Sequence, residues 1–203
     1  MSTAKIPIIF VHGFWDKSSV FNRMAKYLER KGWSVYYDLN LQPNNGKITI
    51  EEMAGQLSHY IDRLLGPSTP FSLVGFSMGG LVSRYYVQKM DENDRVKHLI
   101  TISSPHRGTW SAYVFNRKAC IQMRPQSAFL NDLNKDLSKL QRIKFTSIWG
   151  YGDSMIVPNA SSHLPVGNEK IFAFGIHFLM PYVNNVIKGV EKSLIETKEV
   201  EVQ

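Results

Sequence analysis

The feature that most constrains this chain is SLVGFSMGGLVSRYYVQKM, residues 72 to 90, where an apolar run meets a serine set among glycines and continues into helix-period residues. Gly75-Phe76-Ser77-Met78-Gly79 fits the pattern G-x-S-x-G, in which serine occupies a strained strand-to-helix turn with its hydroxyl projecting outward. At Gly75 and Gly79 any Cβ is expected to collide across so tight a turn, and Gly80 lets the following helix lie close to the sheet.

The rest of the chain supplies a setting for that turn. Apolar runs at 6 to 11, 33 to 39, 71 to 76, 96 to 102, 144 to 149 and 170 to 174 read as strands. Helical patterns fall at 18 to 32, 49 to 65, 78 to 90, 127 to 137 and from about Pro181 onward. Ser18 or Ser19 is placed to cap the first helix and Gly32 to end it, while Thr49 and Glu52 have capping-box spacing at the second. Strands separated by helices pair in parallel, and near-continuous apolar strands need cover on both faces. The expected fold is therefore α/β, a mostly parallel sheet of about six strands with helices on both faces, in one domain spanning residues 1 to 203. Two stretches break the rhythm, 103 to 143 and 150 to 169, and both leave the carboxyl ends of strands, where open sheets of this class place their sites. Residues 103 to 143 are long enough to make a small cap.

Composition narrows the classes of function. The formal charge of +7 is scattered over helical segments without a basic block or nucleic-acid motif, so nucleic acid is not an expected partner. Cys120 is the only cysteine, which excludes an intramolecular disulfide and a site of clustered thiolates. No run approaches a membrane span, and the N-terminal apolar run stops at His12 and Gly13, short of a signal sequence. These readings give an expectation of a cytoplasmic protein, with peripheral contact at lipid surfaces through Arg107, Arg117, Lys118 and Arg124 as an extension of it.

A serine hydroxyl needs a positioned histidine, itself oriented by a carboxylate, and in this fold the chain order is serine, acid, histidine. His177 lies just past the last apolar strand and is the leading base; His106 and His163, also on loops, stay open. Asp153, in a glycine-rich turn after the preceding strand, is the leading acid, with Asp38 after the second strand as its rival. Oxyanion donors are expected from the backbone N–H groups of Met78, after the serine, and Phe14, after the first strand. Phe14, Trp15, Trp110, Tyr113, Phe115 and Met155 fall on loops that would ring such a site; of these, Trp15, Trp110 and Met155 are the candidate pocket residues.

With these residues in view, HGFW (12 to 15), GFSMGG (75 to 80), GDSMIVP (152 to 158) and GIHF (175 to 178) resemble the signature turns of the α/β-hydrolase superfamily. In size and layout the chain is similar to the small bacterial triacylglycerol lipases and esterases, from about residue 6 to 195. The resemblance implies a serine hydrolase with Ser77 as nucleophile, Asp153 as acid, His177 as base and the Phe14 and Met78 amides as oxyanion hole. It implies an acyl ester or lipid substrate and neither metal nor organic cofactor. Phe76 stands where many such enzymes have histidine, and the 103 to 143 segment is longer than in the smallest lidless lipases. An acyltransferase or thioesterase using the same triad, and a non-catalytic binding module of the same fold, are the alternative readings.

Overall fold

Alternation of apolar side chains along the first and third strands sends two sets of residues to opposite faces, and the sheet they form is covered on both sides. The computed structural model describes residues 5 to 195. Its strands are β1 (Ile8–Val11), β2 (Val35–Tyr36), β3 (Phe71–Phe76), β4 (Val96–Ile102), β5 (Lys144–Gly150) and β6 (Asn168–Phe172), all paired in parallel in the order β2-β1-β3-β4-β5-β6. The helices are α1 (Asn22–Arg30), α2 (Ile50–Leu65), α3 (Met78–Tyr85), α4 (Lys118–Gln122), α5 (Ala128–Lys135), α6 (Ser138–Arg142) and α7 (Asn184–Ile195). A six-stranded parallel sheet with helices on both faces is an α/β fold of the expected kind.

Two apolar cores flank the sheet. Ile9, Val11 and Leu73 point into one, built with α2, α3 and the 103 to 143 segment, through residues such as Leu57, Leu81 and Leu130. Ile8, Phe10, Val74 and Phe76 point into the other, closed by α1 and α7 through Met24, Leu28, Val186 and Val190. Chain order reverses between β1 and β3, because β1 leads to β2 on one side while β3 begins the run on the other. The carboxyl edge beside that reversal is where loops diverge and leave a crevice.

Local signals were followed unevenly. Thr49 and Glu52 form the reciprocal capping box at α2: the Glu52 amide donates to Thr49 Oγ1 at 3.2 Å, and the Thr49 amide to Glu52 Oε2 at 2.6 Å. Neither Ser18 nor Ser19 caps α1. They form a 3-10 turn, Ser18–Phe21, that delays the helix to Asn22, because its first turn follows a loop already tied by the Ser18 amide to Asn40. The second strand shrinks to Val35–Tyr36, and the last helix begins at Asn184 after a 3-10 turn, His177–Tyr182, that contains Pro181. The sixth strand runs Asn168–Phe172 rather than 170 to 174, since register with β5 pairs Gly150 with Phe172 and releases the chain before Phe174.

The 103 to 143 segment is held to the sheet by a buried cation. Arg84 of α3 is fully buried, and its guanidinium donates to the Leu133 carbonyl (3.3 Å), Asn134 Oδ1 (3.0 Å) and Gln88 Oε1 (3.1 Å), with His106 Nδ1 3.3 Å away. Asn134 Nδ2 in turn donates to the His106 carbonyl at 2.9 Å. Desolvation draws the Arg84 pKa down to about 9, which still leaves it charged at neutral pH. The charge is dispersed over neutral acceptors, so their loss matters as much as its own. Arg84→Leu is expected to lower unfolding stability by about 3 kcal/mol in urea titration, because the buried acceptors lose their donors.

Candidate active site

The turn after β3 is built by three close approaches, two of backbone to backbone and one of backbone to a side chain. Ser77 has φ 54° and ψ −125°, in the half of conformational space that side chains disfavour. A Cβ on Gly75 would lie 2.6 Å from the Gly80 Cα, and one on Gly79 would lie 2.1 Å from the Val11 carbonyl oxygen. Both glycines are therefore required by backbone packing. A Cβ on Gly80 would meet Ser104 Oγ at 2.0 Å, so this glycine brings α3 against the chain leaving β4. The Ser77 amide completes the turn by donating to the Ile102 carbonyl at 2.8 Å.

His177 reaches Ser77 from the far edge of the sheet. Its Nε2 lies 3.0 Å from Ser77 Oγ and its Nδ1 2.8 Å from Asp153 Oδ2, with His177 and Asp153 both buried. A carboxylate only accepts, so Nδ1 carries the proton and Nε2 presents its lone pair to the serine hydroxyl. Asp153 is fixed in turn: its Oδ1 accepts from the amides of Met155 (2.9 Å) and Ile156 (3.0 Å), leaving Oδ2 aimed at the ring. The loops bearing the two residues are brought together where Gly150 and Gly175 cross. A Cβ on Gly150 would sit 2.8 Å from the Gly175 Cα, and the Gly175 amide donates to the Tyr151 carbonyl at 2.7 Å. The Phe76 ring lies 5.0 Å from the imidazole, so Phe76 packs against the His177 ring.

The other titratable candidates are occupied elsewhere. His106 is buried beside Arg84 and Thr101 Oγ1, where desolvation first and the Arg84 charge second hold its pKa well below the ordinary value. His163 pairs with Glu169 at 2.9 Å, and Asp38 accepts from the Tyr60 hydroxyl.

The loop after β1 meets the same serine. The place a Cβ would occupy on Gly13 is 3.0 Å from Ser77 Cβ, so the loop that continues into Phe14 packs against Ser77. His12 braces this loop: its Nε2 accepts from the Leu41 amide at 3.0 Å, so its Nδ1 proton goes to the Gly13 carbonyl, also at 3.0 Å. Burial lowers the His12 pKa and keeps that brace neutral. Met78 is the first residue of α3, where the helix leaves its amide without an intrahelical acceptor. The loop after β1 and the first turn of α3 thus both adjoin Ser77, one from each side of the chain reversal.

The candidate pocket residues divide. Trp15 packs with Phe14 (4.7 Å between ring centroids) and Phe115 (4.9 Å), while Trp110 stacks on Tyr113 (5.4 Å). Met155 anchors the acid loop, its carbonyl accepting from Thr109 Oγ1 at 2.7 Å and Ser111 Oγ at 2.6 Å.

One residue absent from the sequence reading belongs to the site. Asp16 Oδ2 lies 3.1 Å from the same Cβ place on Gly13 that is 3.0 Å from Ser77 Cβ, which sets a second carboxylate near Ser77. Burial raises its pKa and the His177 charge opposes that rise. Among the described residues none of the hydrogen bonds ends on this carboxylate; its backbone is held instead, by Gly13 O and Asn44. Its spacing from His12 was the available signal, but nothing in the string HGFWD says that the chain folds back over the serine.

Comparison with known proteins agrees with this architecture. A mature lipase from Bacillus licheniformis superposes with a TM-score of 0.77 at 19% identity, covering 95% of this chain and 93% of its own. A gene product of Listeria innocua gives 0.69 at 17% identity, with 97% and 96% covered. A lipase-esterase related protein from Clostridium acetobutylicum gives 0.64 at 18%, with 95% and 94% covered. These likenesses carry the α/β-hydrolase fold. The model of the palmitoyl protein thioesterase family matches residues 7 to 128, from β1 through the turn at Ser77 and into α5, and the chain belongs to that family of lipase-, esterase- and thioesterase-like α/β-hydrolases.

Proposed function

We propose that the protein is a serine hydrolase that cleaves fatty acyl esters through an acyl-enzyme, with Ser77, His177 and Asp153 as its catalytic triad. The observation that carries this reading is the continuous hydrogen-bonded chain from Ser77 Oγ through both nitrogens of His177 to Asp153. His177 Nε2 takes the hydroxyl proton as Ser77 Oγ attacks the acyl carbonyl. Asp153 stabilises the imidazolium that forms, and the Phe14 and Met78 amides receive the developing oxyanion. His177 then gives its proton to the departing group, and water repeats the sequence to release the acid. No step calls for a metal or an organic cofactor.

A thioester substrate is a second reading, favoured by the family to which the chain belongs. Sulfur is the better leaving group, so the same site serves both reactions, and the leaving group alone separates them. On either reading the chain acts as one catalytic domain. Trp15, Phe115, Trp110 and Met155 would line an apolar path for the acyl chain, with residues 103 to 143 forming one wall of it.

Steady-state kinetics on p-nitrophenyl esters from acetate to palmitate, beside matched thioesters, tests the proposal. Ser77→Ala is expected to lower kcat by about 10⁶, and Asp153→Asn by about 10⁴. Near-wild-type turnover by Ser77→Ala would remove it as nucleophile.

A further inference from the structure

The loops that carry the site leave an unusual amount of apolar side chain in water. Phe174 is 88% exposed and Ile176 62%, on the two sides of Gly175 and immediately before the buried His177. Across the site, Val114 is 73% exposed and Trp110 58%, and Trp15 and Phe178 are also exposed. These side chains come from the loops after β1, β4 and β6, which all leave the carboxyl edge of a parallel sheet, so they form a rim on the edge that holds Ser77. Single exposed apolar residues need no explanation, but a rim gathered from three loops around one site does.

Charge on the same loops is one-sided. Residues 103 to 131, 154 to 168 and 170 to 190 contain no aspartate or glutamate. In the loops after β1, β4, β5 and β6, over residues 12 to 17, 103 to 131, 151 to 168 and 173 to 183, the acids are Asp16 and Asp153, and Asp153 is buried against His177. The cations there are Lys17, Arg107, Arg117, Lys118 and Arg124. Two of them lie on the rim's own aromatic rings: the Arg117 guanidinium is 5.6 Å from the Trp15 centroid and 5.4 Å from Phe115, and Arg124 is 4.6 Å from Tyr113. Apolar and aromatic tips beside cations, with carboxylates nearly absent, match the boundary between acyl chains and anionic headgroups.

We infer that this rim is a docking surface for an anionic lipid bilayer, which seats the mouth of the site against the membrane. The inference deepens the proposed function: an acyl chain would pass from the bilayer to Ser77 without crossing water. Phe174 and Ile176 enter the headgroup boundary, while Arg107 and Lys118, both exposed, meet the headgroups.

Vesicle co-sedimentation of the full chain tests it, with phosphatidylcholine alone and with phosphatidylcholine containing phosphatidylglycerol, at low and high salt. Binding should require phosphatidylglycerol and weaken as salt rises. Phe174→Ser with Ile176→Ser should weaken it by about tenfold or more, and Arg107→Glu with Lys118→Glu by about tenfold. Hydrolysis of soluble p-nitrophenyl acetate should be unchanged in both double variants, which also reports that they fold. No binding to either vesicle, or equal and salt-insensitive binding to both, would overturn the inference. A dimer that Phe174→Ser with Ile176→Ser converts to monomer, without vesicle binding, would overturn it in favour of a second copy as occupant. Binding and turnover of the wild type, measured side by side, separate the two proposals: vesicle binding without turnover sinks the enzymatic reading alone, and turnover without binding sinks the surface alone.

Discussion

The architecture of the site depends on one contact, the seating of the first turn of α3 on the end of β1. Gly79 lies so close to the Val11 carbonyl that no side chain fits between them, and this closeness holds Ser77 in its left-handed conformation. Such a conformation costs on the order of 1 to 3 kcal/mol and persists only where surrounding structure enforces it. Here the enforcement comes from the parallel sheet: β1 and β3 are neighbours in register from Ile8 with Ser72 to Val11 with Gly75, so the loops leaving them must meet. The same seating brings the loop after β1 and the first turn of α3 against Ser77. Strain at Ser77 and the convergence of the two loops on it thus follow from one packing event.

Electrostatics complete what packing begins. The Asp153 carboxylate is buried, and burial of a charge is unfavourable unless its oxygens are occupied. Two amides take one oxygen and the His177 ring takes the other, which fixes the ring's tautomer as well as its orientation. His12 uses the same logic on the opposite side, as a neutral brace between the Leu41 amide and the Gly13 carbonyl. Arg84 extends it to the long segment after β4, with three neutral acceptors in place of a counter-ion. Asp153, His12 and Arg84 each tie a loop or segment in place, and the apolar clusters on the two faces supply the cohesion.

Much of this is legible in the chain because it is local. Strand, turn and helix at residues 71 to 90 follow from hydrophobic period and glycine positions, and the capping box at Thr49 from spacing alone. The α/β sheet follows from alternation of such elements. Elements set by distant partners are harder to read. Ser18 and Ser19 have capping chemistry, yet a loop contact with Asn40 makes them a 3-10 turn. The end of β6 is decided by pairing with Gly150, two residues before Phe174, which a single-strand pattern does not contain. The buried brace of Arg84 with His106 and the approach of Asp16 to Ser77 join residues far apart in sequence, so no window shows them. His106 and Asp38 look eligible for the site in sequence, and only their partners in space show what occupies them.

The measurement that tests the account most directly is identification of the residue acylated during turnover. The protein would be mixed with a p-nitrophenyl acyl ester, quenched in acid within the first turnover, digested and read by mass spectrometry. The account predicts one acyl group on the peptide containing Ser77, appearing with the first equivalent of nitrophenol. An acyl group on any other residue, or full turnover with no acylated peptide at any quench time, would contradict it.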